Sequence, residues 1–363
     1  MKVRTKRFLL ILASFLFVSW ISEIIANWDA REKYHYLPND KQLKNSKKKN
    51  KTLQKILNTA APAATKNEIN PTIKNELIAA RGTKVGIPAD AFVDKKGALV
   101  SANVKIEIVE VIDPIDFVSA GVDLVYYPEK NRREFFQSAG MFKINAAEMN
   151  GQMLSLAPGK KLEVQFPNIV PGDEFFVYRQ DARQQWELHG HNQSTTGKEE
   201  SRGGISIGTR RYNIDALNTW WNFDKPVPHA ACAKGSVQKT DGNLTKFTVY
   251  SIGISVKGSF ARYIANSATF KVNVHKSTRS RFMVIDDTGA LGISPEIQIT
   301  DKTGFDQAEE GPQNFCQDIG VIKIAPVPDE IASDKRKLSE FLGLPISDYK
   351  VDYQVGGTPT TVR

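Results

Sequence analysis

The sequence predicts an all-β protein: two consecutive β-sandwich domains that follow an N-terminal export segment and a basic spacer. Three observations carry that prediction. β-type side chains recur at every second position in short runs, as in Thr83, Val85 and Ile87, the spacing of a strand with one buried face. Turn signals such as Asp94-Lys95-Lys96-Gly97 and Asn150-Gly151 separate the runs, because Gly and Asn accept the backbone angles that tight reversals need. The chain of 363 residues exceeds one ordinary domain, and its 41% apolar and 25% charged residues are those of a globular protein.

The elements follow in order. Lys2, Arg4, Lys6 and Arg7 precede Phe8–Ile21, an apolar run broken only by Ser14 and Ser19. A positive region ahead of such a run is an export signal. Ala26 suits the position before a cleavage point, whereas Ile24 is a poor fit for the small residue two places earlier. Read to Ala26 the stretch is 19 residues, enough to span a bilayer, with Glu23 as its costly member. Residues 1–26 are therefore read as a signal peptide or signal anchor whose basic end stays in the cytoplasm. No cysteine follows the run, so attachment of the lipoprotein kind is not expected.

Residues 27–77 read as a basic flexible linker. The run Lys44-Asn45-Ser46-Lys47-Lys48-Lys49-Asn50-Lys51 repels itself, and Ala60-Ala61-Pro62-Ala63-Ala64-Thr65 has the composition of a tether. The sequence allows a short helix at Thr52–Leu57. Anionic lipid, cell-wall polymer or nucleic acid would suit the lysine run, but blocks of like charge most often serve as solvated spacers. The net charge of +9 resides here: residues 1–66 hold fourteen Lys and Arg against four acids, and the remainder holds 35 against 36. No basic groove for nucleic acid is expected on the folded part.

Residues 78–226 form the first expected sandwich. It opens with Gly82-Thr83-Lys84-Val85-Gly86-Ile87-Pro88-Ala89-Asp90-Ala91-Phe92-Val93-Asp94-Lys95-Lys96-Gly97, in which Pro88 lacks a ladder donor and ends the first strand. Val100, Val104, Ile106 and Ile108 resume the extended pattern. Ser138-Ala139-Gly140-Met141-Phe142-Lys143-Ile144, the Asn150-Gly151 hairpin, Leu162-Glu163-Val164-Gln165-Phe166, Glu174–Tyr178 and Gln184–Leu188 continue it. A polar loop at Asn192–Gly204 leads to Tyr212-Asn213-Ile214-Asp215-Ala216-Leu217 and Trp220-Trp221-Asn222-Phe223-Asp224.

Between Arg81 and Pro226 these motifs resemble the ZU-five-like β-sandwich domain, named for zonula occludens proteins and netrin receptors and frequent in large surface proteins of Bacteroidetes-type bacteria. The Trp-Asn-x-Asp strand is similar to the one that often closes the bacterial version. The resemblance implies a scaffold and says little of function, since the domain serves unrelated proteins. Some eukaryotic relatives cleave themselves at a His-Phe-Ser step; that tripeptide is absent here, so the resemblance carries no such activity over.

Residues 227–326 read as an Ig-like or transthyretin-like sandwich, with strands at Lys234–Gln238, Thr245–Ile252, Ala268–Val274, Arg281–Ile285, Glu296–Thr300 and Phe315–Ile324. The closing Cys-x-x-Ile-Gly-x-Ile is similar to the last strand of carboxypeptidase-regulatory-type domains. Cys232 and Cys316 are the two cysteines of the chain, and in an exported protein an even pair reads as a disulfide rather than as two buried thiols. Residues 327–363 supply one amphipathic helix at Asp329–Leu342, then a loose tail.

Chemistry has few anchors. His189-Gly190-His191 places two imidazoles on one strand face, and His229 follows, but no helical His-x-x-x-His or paired carboxylate motif joins them, so no metal is assigned. Cys-x-x-Cys, the P-loop and Gly-x-Gly-x-x-Gly are absent. Asp286-Asp287 lies in a turn, where Asp bonds local backbone. No catalytic residue and no cofactor are expected. Trp220, Trp221 and Phe223 are the candidates for ligand or partner contact; packing between the two domains is the preferred reading, and a stacking platform for a sugar ring is the other. Asp113–Phe117 and Tyr126-Tyr127-Pro128 read as loop and strand-end features.

The expectation is a non-enzymatic exported protein of a bacterial cell envelope, acting as a scaffold, adhesive or assembly module. Its partners would be envelope proteins or cell-surface glycan, with the membrane held through residues 1–26. A carbohydrate- or peptidoglycan-binding accessory protein is the alternative, and a self-processing or hydrolytic enzyme ranks below it.

Overall fold

The computed structural model describes residues 51–122, 124–129, 132–170, 172, 174–194, 206–227, 230–244, 246–300, 316–351 and 353. The export segment, residues 27–50 of the spacer and His229 lie outside them. The protein is all-β in architecture, as expected. Helix α1 (Lys51–Ala60) leads into β1 (Ala63–Ile69), β2 (Asn75–Ile78), β3 (Lys84–Ile87), β4 (Phe92–Val93) and β5 (Val104–Val111). Helix α2 (Pro114–Ser119) precedes β6 (Val125–Glu129), β7 (Arg132–Glu148), β8 (Ser155–Leu156), β9 (Leu162–Pro167), β10 (Phe176–Gln180) and β11 (Trp186–His191). Then come β12 (Gln193–Ser194), β13 (Ser206–Ile207), β14 (Thr209–Ile214) and β15 (Trp220–Val227). The second half adds β16 (Ala231–Lys239), β17 (Lys246–Gly253), β18 (Ser259–Ala265), β19 (Thr269–Val274), β20 (Arg279–Asp286), β21 (Leu291–Ile293), β22 (Ile297–Gln298) and β23 (Gln317–Ile324). Helices α3 (Asp329–Ala332) and α4 (Lys335–Phe341) and the short β24 (Lys350–Val351) close the described chain.

The first sandwich faces a seven-stranded sheet, β1-β5-β7-β15-β10-β11 with β6 on β7, against the five-stranded β12-β14-β9-β3-β2. Val85, Ile106, Phe142, Val164, Trp221 and Phe223 are among the apolar side chains between them. Turn chemistry acts where the sequence places it: β3 stops before Pro88, and Gly97 and Gly151 turn at φ +83° and +91°. The second sandwich sets β19-β16-β23 against β18-β17-β20-β21, with β22 on β20. Here β16 and β23 run parallel, and Cys232 and Cys316, one position before Ala233↔Gln317, form the disulfide.

One ribbon belongs to both halves. β7 is 17 residues long, roughly 55 Å at the strand rise, and pairs with β15 from Trp220↔Lys143 to Val227↔Phe135. Phe142 and Ile144 of β7 fill the first core, while Phe135, with Val125 and Val227, packs into the second. The boundary drawn at 226/227 therefore falls inside a strand that both cores use.

Three expectations change. Residues 51–77, expected in the linker, are folded: α1 buries Ile56 and Ala60, and β1 pairs along its whole length with β5. The polar run Ala63-Ala64-Thr65-Lys66-Asn67-Glu68 serves as an edge strand, where every second side chain faces solvent. Asp113–Phe117 is the start of a buried helix, not a loop; Pro114 opens it at the one position where a missing N–H costs nothing. The helix expected at Asp329–Leu342 breaks in two, because Asp334 caps α4 by accepting the amides of Arg336 and Lys337.

The outer face of the β18-β17-β20-β21 sheet is also apolar. Tyr250, Ile252, Met283, Ile285 and Leu291 point outward and meet Ile56 and Ala60 of α1, Ile115 and Val118 of α2, and Ala332, Leu338 and Leu342 of the C-terminal helices. This explains why β17 is buried from Phe247 to Gly253 on both faces.

Candidate functional site

The Trp-Trp-Asn-Phe-Asp strand is central, flanked by β7 and β10. Alternation sends Trp221 and Phe223 into the first core, both fully buried, and Trp221 Nε1 donates to Ala216 O at 3.2 Å. Trp220 faces the other side, half-buried, with the Lys143 ammonium 5.9 Å from its ring centre. Trp221 and Phe223 thus pack within a sandwich, away from the contact between the sandwiches that the sequence suggests. The opposing five-stranded sheet covers that face, so neither ring is exposed. Trp186 is buried too.

His189 and His191, expected on one face, are on opposite faces. Pairing of β10 with β11 shifts between Val177↔Gly190 and Tyr178↔Leu188, a bulge that adds one residue and reverses the alternation. His191 turns its ring against Phe176, 4.8 Å between centres, while His189 meets Trp221 edge-on at 4.9 Å. Tyr212 OH donates to His189 O at 3.1 Å, and His189 Nδ1 approaches that hydroxyl at 2.6 Å. On its other side His189 Nε2 lies 3.2 Å from Asp215 Oδ2; Asp215 Oδ1 takes Arg179, which also reaches Glu187. Burial, aided by Asp215 and opposed by Arg179, raises the Tyr212 phenol above its usual range. An imidazole between a phenol and a carboxylate can hold or pass a proton. Each member here is engaged by another, so the group ties the edge strand β11 to β14 of the opposite sheet.

A second cluster joins the sandwiches at the end of β5. Glu110, Asp113 and Asp116 are all buried. Glu110 accepts the amides of Arg81 and Thr83, each at 2.8 Å, and burial raises its carboxyl above the normal range against those bonds. Asp113 pairs with Arg81 at 2.7 Å and accepts Ser347 N at 2.8 Å. Asp116 accepts the amides of Ile112 and Asp113 and pairs with Lys335 of α4, whose ammonium also donates to Ala61 O at 2.7 Å. Lys257, from the β17–β18 loop, donates to Ile112 O at 2.9 Å; burial pushes its amine down to about 8, opposed by Asp113 and Asp116. Over this cluster the C-terminal segment crosses back to the first sandwich, Tyr349 OH donating to Arg81 O at 3.0 Å and Tyr353 OH to Gly82 O at 2.7 Å.

These buried charges bind segments of the chain to one another, with each acid facing a cation or backbone amides. Sequence reasoning passed over them because Arg81, Glu110 and Lys257 are far apart in the chain and belong to no motif. The signal available was Asp113-Pro114-x-Asp116, a helix start. Asp286 behaves as the turn predicts, accepting Thr288 N and Ala290 N at 2.9 Å, with Lys239 on its other oxygen at 2.8 Å. Among the described residues no three His, Cys, Asp or Glu side chains converge to hold a metal ion. An open hollow between α1 and α3 is lined by Lys51, Gln54, Lys55, Asn58, Thr59 and Ser333. Comparison of the chain with protein-family models, curated proteins and solved structures finds no match.

Proposed function

We propose that the chain is a non-catalytic scaffold or assembly module of a bacterial cell envelope, exported through residues 1–26 and presenting two coupled β-sandwiches as one body. The observation that carries the reading is the ribbon of β7 and β15 inside both cores. A surface shared by two sandwiches keeps its shape when a partner binds, which lowers the ordering cost of association. The resemblance to ZU-five-like scaffold domains supports the same reading, as does the use of buried charge for joining segments. The burial of Trp186 and Trp221 speaks against the glycan-binding alternative, which needs rings free to stack on sugar; of the three rings in question only Trp220 is left half-buried.

Fractionation of native cells tests the proposal, followed by photo-crosslinking from exposed positions such as Tyr263 and Val321. The expected result is recovery in the membrane fraction with one stoichiometric protein crosslinked. Recovery in the cytosol, or retention on purified peptidoglycan that Trp220→Ala abolishes, would contradict it.

A further inference from the structure

The shared ribbon contains a buried acid that none of these roles uses. Asp224 is fully buried, and its Oδ1 has no hydrogen-bond partner. Its Oδ2 accepts from Asn222 Nδ2; Asn222 Oδ1 accepts from Ser138 Oγ at 2.9 Å, and Ser138 Oγ accepts from Gly140 N at 3.0 Å. This relay sits in a bulge, where Ala139 and Gly140 together oppose Phe223 between the pairs Met141↔Asn222 and Ser138↔Asp224. Only glycine suits the site: Gly140 has φ +122°, and a Cβ there would lie 2.5 Å from the Phe166 ring.

The bulge also frees the Ser138 amide from the ladder, and it donates instead to Lys257 O at 3.0 Å, in the β17–β18 loop of the second sandwich. Ser138 is thereby bonded to the other half of the molecule through its backbone and to the acid's relay through its side chain. Around Asp224 stand Ser138 on β7, Asn222 on its own strand, and Tyr178 of β10, which also lies within electrostatic reach of Tyr126 of β6 and the buried Glu134 of β7. None of these is a cation. Loss of solvation, against the hydrogen bonding of Ser138, raises the Asp224 carboxyl well above its usual range.

We propose that Asp224 is a proton-dependent lock on the ribbon that joins the two sandwiches. With its proton it is a neutral member of the relay and the joint is closed. Losing the proton to water puts an uncompensated charge beside the bulge and loosens the Ser138–Lys257 contact. The sign follows from linkage: a carboxyl that binds its proton more tightly when folded contributes stability at low pH, and that stability is lost as pH rises through the folded-state value.

The test compares the full chain in detergent with its Asp224→Asn form, by urea unfolding between pH 4 and pH 9. The folded-to-unfolded ratio of the native chain should fall relative to the variant, by up to tenfold per pH unit above the unfolded carboxylate value of about 3.9, the slope for one linked proton. Amide exchange at Ser138 should accelerate over the same range beyond that of the variant. A difference that does not vary with pH overturns the proposal. If Asp224→Asn does not fold, infrared spectra of the native chain decide: a protonated-carboxyl C=O band at pH 6 that disappears as pH rises supports the lock, and no such band refutes it.

Discussion

The first sandwich closes a seven-stranded sheet over a five-stranded one, and none of its described residues is in a disulfide; the second sets three strands against five and carries the Cys232–Cys316 bridge. Their outer faces differ as well. The five-stranded sheet of the first presents Glu76, Lys84, Glu163 and Arg211 along its outer side. The larger sheet of the second presents Tyr250, Ile252, Met283 and Ile285, which α1, α2 and the C-terminal helices cover. That cover comes from residues before both sandwiches, from a helix inserted in the first and from residues after the second. The half with the narrower sheet is held by a covalent bond and by segments supplied from elsewhere, and the half with the wider sheets is held chiefly by its own packing.

The largest expected effect breaks the second half. The bridge closes a separation of 84 residues, which in the chain-entropy account stabilises by about 4–5 kcal/mol. Reduction, or Cys232→Ala with Cys316→Ala, should lower the urea midpoint accordingly, and an unchanged midpoint would show that the narrow sheet needs no staple. Next is the helical cover. Leu338 of α4 is fully buried against the outer face, and Leu338→Ala should cost about 3 kcal/mol by transfer and cavity terms. A cost under about 1 kcal/mol would mean that the helices only rest on the sheet.

The third sharpens the comparison through pH. His275 directly follows β19, with its ring 4.9 Å from Phe260 and its Nε2 unpartnered, and burial pushes the imidazole down to about 4. Its stability contribution is full above the unfolded value near 6.5 and is lost as pH falls from there towards about 4. That amounts to about 3 kcal/mol, and His275→Phe should remove this part of the acid sensitivity. The smallest effect belongs to the first half's surface. Lys66 and Glu107 approach at 3.6 Å with the lysine largely exposed, and Lys66→Ala should change stability by less than about 0.5 kcal/mol.

What could be read from the sequence was local. Pro88, Gly97 and Asn150-Gly151 mark real turns, and alternation at Thr83–Ile87 marks a real strand, because those signals act over a few residues. Pairing of Cys232 with Cys316 was legible from their number and from the expectation of export. What escaped was set by partners distant in the chain. Residues 63–69 look like a tether until β5 is beside them. Asp113–Phe117 reads as a loop because its capping acid and proline also suit loops, and only the apolar sheet outside β17 and β20 makes Ile115 and Val118 a packing face. The separation of His189 from His191 depends on a single-residue bulge, and alternation counted along one strand assumes there is none. The charged joint of Arg81, Glu110, Asp113, Asp116, Lys257 and Lys335 exists only once five segments meet.

The claim on which the rest stands is that the β7–β15 ribbon makes the two sandwiches one cooperative body. Calorimetry of the oxidised protein, with Trp221 fluorescence and near-ultraviolet dichroism of Tyr250 followed in parallel, tests it most directly. One transition is predicted, with coincident probes and a calorimetric enthalpy equal to the van't Hoff value. Two resolved transitions, with Tyr250 released while Trp221 stays buried, would contradict it.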